Sequence, residues 1–211
     1  MTELVFDCLS VAPERYAASP TLSFKLRITE TAGAEVYAIA LRCQIRIEPH
    51  KRHYSADEEP LLLDLFGERH RWGETLKPIQ FANVSVVVPG FEGSTEVDLQ
   101  VACSYDLDVA CSKYFDSLRG GEVPFILLFS GTVFTRGQHQ GFAVEQVPWH
   151  KEALVRMPVA TWKELMDLHF PNSGWIRLQR EVLDELRRYR SEHGLPTWEQ
   201  TFEHLLKEAK R

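Results

Sequence analysis

The chain has 211 residues, 44% of them hydrophobic and 26% charged, a composition that excludes global disorder and fibrous repeats and leaves enough apolar mass for a real core. A formal net charge of −6 and a pI near 5.8 disfavour nucleic acid as the main partner, because a phosphate backbone is held chiefly by positive charge. The acidity is concentrated early: residues 1–149 carry 13 basic and 20 acidic side chains, residues 150–211 carry 11 and 10.

The first 16 residues, MTELVFDCLSVAPERY, lack both a basic start and a continuous apolar stretch of signal-peptide length. The apolar run from Val123 to Phe134 is interrupted by Pro124, Ser130, Gly131 and Thr132, far short of the roughly 20 residues that a spanning helix needs. A cytoplasmic protein without membrane insertion is expected.

From Leu4 to Ile47 apolar and polar residues alternate at period two, the rhythm of half-buried strands. Leu22, Phe24, Leu26 and Ile28 share one face. After a turn at Gly33, Ile39, Leu41, Cys43, Ile45 and Ile47 share another, and the two runs are expected to pair as antiparallel neighbours. Between Ser55 and Phe66 the rhythm changes. Ser55 and Glu58 have capping-box spacing ahead of Leu61, Leu62, Leu65 and Phe66, so a helix is expected near 56–66 with Pro60 in its first turn.

Two further strand-like runs, Ile79 to Val88 and Thr95 to Cys103, flank Pro89-Gly90-Phe91-Glu92-Gly93, which is turn chemistry. Leu107, Ala110, Cys111, Tyr114, Phe115 and Leu118 recur at helical spacing and predict a second inserted helix near 106–118, stopped by Gly120-Gly121. Val123 to Thr135 reads as a central strand covered on both faces. Gly137 to Gly141 turns it back into Phe142, Val144 and Val147, a hairpin expected to form the core of the body. Beyond 150 the pattern is helical, in three pieces near 161–169, 174–192 and 198–209. Thr161 with Glu164, Ser173, and Thr197 with Gln200 are the expected starts. The fold class expected is α+β: a mostly antiparallel β-sandwich or sheet over residues 1–150 with two inserted helices, followed by a three-helix segment over 151–211.

No catalytic or metal-binding constellation emerges. Cys8, Cys43, Cys103 and Cys111 lie far apart among apolar neighbours and read as buried, reduced thiols rather than a zinc set. His50 and His53 flank Lys51-Arg52 without a third ligand and read as a solvated loop. Asp106 and Asp108 near Cys103 and Cys111 would raise a thiol pKa and work against reactivity. No spaced glycine loop suited to phosphate is present. The arginines from Arg177 to Arg190 are interleaved with Glu181, Asp184, Glu185 and Glu192, the pattern of a solvated helix face with intrahelical pairs. No metal, no cofactor and no enzymatic activity are expected. Large rings beside turns and helix ends, namely Trp72, Trp149, Phe170, Trp175 and Trp198, pin joints in most proteins and otherwise anchor a protein partner.

Strings spread over the whole chain, namely Ala18-Ser19-Pro20-Thr21-Leu22, IALRCQIRIEP, LLDLFGE, PGFEGSTEVDL, LLFSGTVFTR, FPNSGW and LPTWEQ, resemble an actinobacterial family of unknown function often encoded beside uptake nickel-iron hydrogenases. The resemblance implies an accessory, assembly or scaffold role with a protein partner, a hydrogenase subunit or maturation factor. It carries over no catalytic residues. The alternative is a small-ligand protein or an uncatalogued enzyme with a pocket inside the sandwich. A second copy of the chain is a further candidate partner, through apolar stripes on the tail helices.

Overall fold

In the computed structural model, residues 2–103, 109–136, 141–172 and 178–210 are described. Eight strands form two antiparallel sheets. Strands β1 (Leu4–Pro13), β2 (Thr21–Glu30) and β5 (Ser94–Ala102) are ordered β1-β2-β5. In the second sheet β4 (Ile79–Phe91), β3 (Val36–Ile47) and β6 (Glu122–Arg136) lie side by side, and the far edge of β6 is shared by β7 (Phe142–Gln146) and β8 (Glu152–Pro158). The sheets face one another as a sandwich: Phe6 of β1 stacks on Phe129 of β6 at 4.3 Å, and Phe24 of β2 meets Phe125 of β6 edge-on at 5.5 Å.

The α+β class expected from the sequence is the one observed, but the expected pairing of the second and third strands is not. β2 pairs with β1 and β5, whereas β3 pairs with β4 and β6 in the other sheet. Both strands do bury the predicted faces, Leu22 to Ile28 and Ile39 to Ile47. The faces meet across the sandwich instead of lying side by side. The crossover is organised by Glu30, a buried carboxylate that accepts hydrogen bonds from the N–H groups of Glu3 (2.9 Å), Ala32 (3.1 Å) and Ala34 (2.8 Å). Gly33 takes the positive φ of +77° that this turn requires.

β6 is the central strand the sequence predicts, with Val123, Phe125, Leu127, Phe129 and Val133 buried. Gly131, at φ +145°, lets β3 approach so closely that a Cβ there would sit 2.2 Å from the Ala40 carbonyl oxygen. The hairpin partner does not share the core. Phe142 and Val144 of β7 point outward and are exposed, because β7 lies at an edge and only Val147 beyond it is buried. The expected turn, Gly137 to Gly141, lies outside the described residues except for Gly141.

The inserted helices are shorter than expected. The first is a 3-10 turn, Glu59–Leu62, running into α1 (Leu63–Phe66). Half of its expected capping box forms, since the Glu58 carboxylate accepts from the Ser55 N–H at 3.0 Å. After α2 (Trp72–Thr75), α3 (Val109–Ser117) closes one end of the sandwich; the part of the expected helix near 106–108 lies outside the described residues. A line of rings, Phe125 to Phe81 (5.3 Å), Phe81 to Phe115 (6.0 Å) and Phe115 to Trp162 (4.1 Å, stacked), runs from the core through α3 to α4 (Val159–His169).

The boundary expected at 150 falls inside the body. Residues Met1–Pro171 form one compact unit and Asn172–Arg211 another. β8 falls in the segment expected to be helical, yet it pairs along β6 from Glu122↔Pro158 to Leu128↔Glu152 and buries Ala153 and Met157. α4 then starts at Val159 with no side-chain cap, two residues before the expected Thr161 box, because its first turn continues directly from β8. The second unit contains α5 (Arg180–Glu192) and α6 (Trp198–Glu208). Thr197 caps α6 as expected, accepting from the Gln200 N–H at 3.2 Å. The two helices are joined by polar and ring contacts, Tyr189 Oη to His204 Nδ1 at 2.6 Å and Tyr189 Oη donating to Glu208 at 2.7 Å. The expected start of the middle helix at Ser173, with Trp175, lies outside the described residues.

Candidate functional site

The groups that most often carry chemistry are put to structural use here. Cys43, Cys103 and Cys111 are buried and Cys8 is half-buried, and the Cys111 thiol donates to the Gln80 carbonyl at 3.3 Å. Burial pushes Cys43 and Cys103 up to about 12 and Cys8 up to about 11, which suppresses the thiolate that a nucleophile or metal ligand needs. His50 lies in a 3-10 turn, Pro49–Lys51, 3.5 Å from the Glu48 carboxylate, and His53 is exposed beside it. Among the described residues no three His, Cys, Asp or Glu side chains converge. The space between the sheets is filled by the rings of Phe6, Phe24, Phe81, Phe125 and Phe129. No described helix is long and apolar enough to cross a membrane.

The surface that stands out is the outer face of the five-stranded sheet. Strand register builds it row by row. Ala38 pairs with both Pro89 and Phe134, and Phe134 with Val144, which gives an uncharged row, Pro89–Ala38–Phe134–Val144, across all four strands at this end. The next row, Val87–Ala40–Thr132–Gln146, is also uncharged. Val87 is 70% exposed, Val144 59% and Phe142, one pair beyond the first row and edge-on to the Tyr37 ring, 76%. Further along the same face the rows turn polar, with Ser85–Arg42–Ser130, Asn83–Gln44–Leu128 and Gln80–Arg46–Ile126. One end of the face is therefore an open apolar field and the remainder is an ordinary wetted sheet surface.

β7 adds a second feature. It pairs with β6 on one side and with no strand on the other among the described residues, the edge position at which an incoming strand can add. Phe142, Val144 and Gln146 lie on the outer face of that strand, and Glu145, its one charged residue, accepts hydrogen bonds from the Thr2 N–H at 2.8 Å and the Thr2 hydroxyl at 2.9 Å.

The five predicted anchor residues do not converge on this field. Trp72 is buried at the start of α2, its ring edge-on to Tyr54 and its N–H donating to the Gly67 carbonyl at 2.9 Å; it pins a joint. Trp149, in the turn between β7 and β8, is 90% exposed. Phe170 ends α4 and is half-buried. In the second unit Trp198 is half-buried, stacked near Phe202 and covered by the Arg190 guanidinium at 4.5 Å. Trp175 lies outside the described residues. The arginines of α5 make one described intrahelical pair, Arg187 to Asp184 at 3.0 Å. Sequence reasoning missed Val87, Ala38, Ala40 and Phe134 because each sits on the face opposite the buried one, and small or β-branched residues there carry no signal until strand order is known.

The chain belongs to DUF6084, a family of unknown function whose pattern it matches over residues 1–211. No curated protein matches the sequence. Among solved structures, a β-glucosidase from Kluyveromyces marxianus aligns at 10% identity with a TM-score of 0.28, over 74% of this chain and 15% of that enzyme. The chain thus spans about 15% of the enzyme's length, and a likeness this slight carries no argument about fold or activity.

Proposed function

We propose that the chain is a non-enzymatic accessory protein that binds an extended apolar segment of another protein on the apolar outer rows of its five-stranded sheet, beside the β7 edge. The observation that carries this reading is the uncharged field formed by Pro89, Ala38, Phe134, Val144 and Val87, which reaches the edge strand β7. Backbone pairing along β7 would supply affinity, and alternate side chains of the incoming strand would cover Phe142 and Val144. The resemblance to an actinobacterial family often encoded beside nickel-iron hydrogenases supports a hydrogenase subunit or maturation factor as the partner. The raised pKa values of Cys43 and Cys103 support a role that does not use these two thiols as ligands to nickel or an iron–sulfur cluster.

Affinity purification of the tagged chain from a hydrogenase-producing host tests the reading. A hydrogenase subunit or maturation factor is expected to co-purify and to be lost on Val144→Asp. Recovery of neither, or recovery unaffected by the substitution, would overturn it.

A further inference from the structure

At the end of the outer face remote from the apolar rows, a cleft of about 730 Å³ opens between the loop that follows β3 and the Gly120-Gly121 turn that precedes β6. Its floor is a buried ion pair. Arg52 and Glu58 are 2.6 Å apart, with side chains only 5% and 3% exposed. Arg52 also donates to the carbonyls of Gly120 (2.7 Å) and Glu122 (3.0 Å), while Glu58 accepts from the N–H groups of Arg119 (2.8 Å) and Ser55 (3.0 Å). Burial alone would raise the Glu58 carboxyl, but these two N–H donors and the Arg52 charge together hold it below its ordinary value. The pair is therefore fully charged and self-compensated. One buried donor remains, the Arg52 Nε, which has no acceptor within the protein among the described residues.

Among the described residues, only Lys51 on the rim has a carboxylate close by. The Arg119 side chain has no ion pair or hydrogen bond among the described residues, and the contact of Arg156 is a long one, 3.5 Å to the Lys51 carbonyl. Lys51 lies 3.4 Å from Glu48. Four cationic side chains and two carboxylates, Glu58 and Glu122, line the cleft, an excess of two positive charges in a chain whose formal net charge is −6. Arg119 and Arg156, without a carboxylate partner among the described residues, add to a positive potential in this concave site, and arginine forks match the oxygens of phosphate. A second cleft of about 420 Å³ shares Lys51 and Arg156 with the first and is otherwise apolar, lined by Cys8, Pro124, Phe125, Leu154 and Val155.

We infer that this pair of clefts binds a small phosphorylated molecule, its phosphate held by Arg119, Arg156 and Lys51 and its apolar part lying along Leu154 and Val155. The site is separate from the protein-docking rows and does not depend on them.

Calorimetric titration of the full chain with phenyl phosphate, inorganic phosphate and phenol tests it. Phenyl phosphate is expected to bind saturably and more tightly than either of the others. The doubly substituted Arg119→Gln, Arg156→Gln chain, whose changes are on exposed side chains, is expected to keep its melting temperature and weaken that binding by about tenfold or more, the scale of a lost charge-assisted contact. Absence of saturable binding, equal binding of phenyl phosphate and inorganic phosphate, equal binding of phenyl phosphate and phenol, or affinity unchanged by the double substitution would each overturn the proposal.

Discussion

Along β6 the odd-numbered side chains Phe125, Leu127, Phe129 and Val133 are sealed between the sheets, while the even-numbered Ile126, Leu128 and Phe134 are half-buried, with Phe134 paired to the exposed Val144 and Ile126 to the exposed Leu154. The two faces of one strand thus do different work. The inner face holds the fold together by removing apolar surface from water. The outer face is apolar at one end without being needed for that purpose, which is the property expected of a surface kept for a partner. Substitutions on the two faces should therefore separate stability from binding.

The largest effect is expected inside. Phe125 touches both Phe24 and Phe81, so Phe125→Ala removes a ring from the middle of the interior and should cost about 3–5 kcal/mol in denaturant unfolding. A loss below about 1 kcal/mol would mean that the inner face is not the main support. A comparable loss, about 3–5 kcal/mol, is expected of Arg52→Met, which leaves the buried Glu58 carboxylate uncompensated. Combining it with Glu58→Leu should recover part of that loss, and strict additivity of the two would contradict the pairing.

Glu30→Gln comes next, at about 1–3 kcal/mol, because one carboxylate serves three N–H groups of the crossover. The same group sharpens the comparison through pH. Burial acts to raise the Glu30 carboxyl, and the N–H donors of Glu3, Ala34 and Ala32 outweigh it and lower the pKa; Glu58 is lowered likewise. The stability these two groups contribute is fully present above the unfolded glutamate value of about 4.3 and is lost as pH falls through their lower folded values. Melting temperature should drop with acidification in that window, and Glu30→Gln should flatten the drop. The smallest stability effect is outside: Val87→Ser and Val144→Ser should change unfolding free energy by no more than about 0.5 kcal/mol.

The sequence shows burial well and partnership poorly. Alternation in Leu22–Ile28 and Ile39–Ile47 identifies both inner faces, but period two says nothing about which strand lies alongside, and Glu30, 3 residues before Gly33, carries the chain into the other sheet. β8 was obscured because Ala153, Val155 and Met157 form only a short alternation beside a strong helical signal at Thr161 and Glu164. In the tail, helical spacing marks α5 and α6, yet amphipathic rhythm alone does not create a core, and Val182 and Leu206 are exposed. The docking rows and the Arg52 cleft were illegible for one reason. Both are assembled from residues far apart in the chain, such as Ala38 with Phe134 and Arg52 with Gly120, and no local spacing announces them.

The most direct test compares the tagged wild-type chain with its Val87→Asp, Val144→Asp variant, purified side by side from a hydrogenase-producing host after both melting temperatures are recorded. The account predicts near-equal melting and loss of the hydrogenase subunit or maturation factor from the variant alone. A variant that melts normally and still retains that partner, or a wild-type chain that brings down neither, would contradict it.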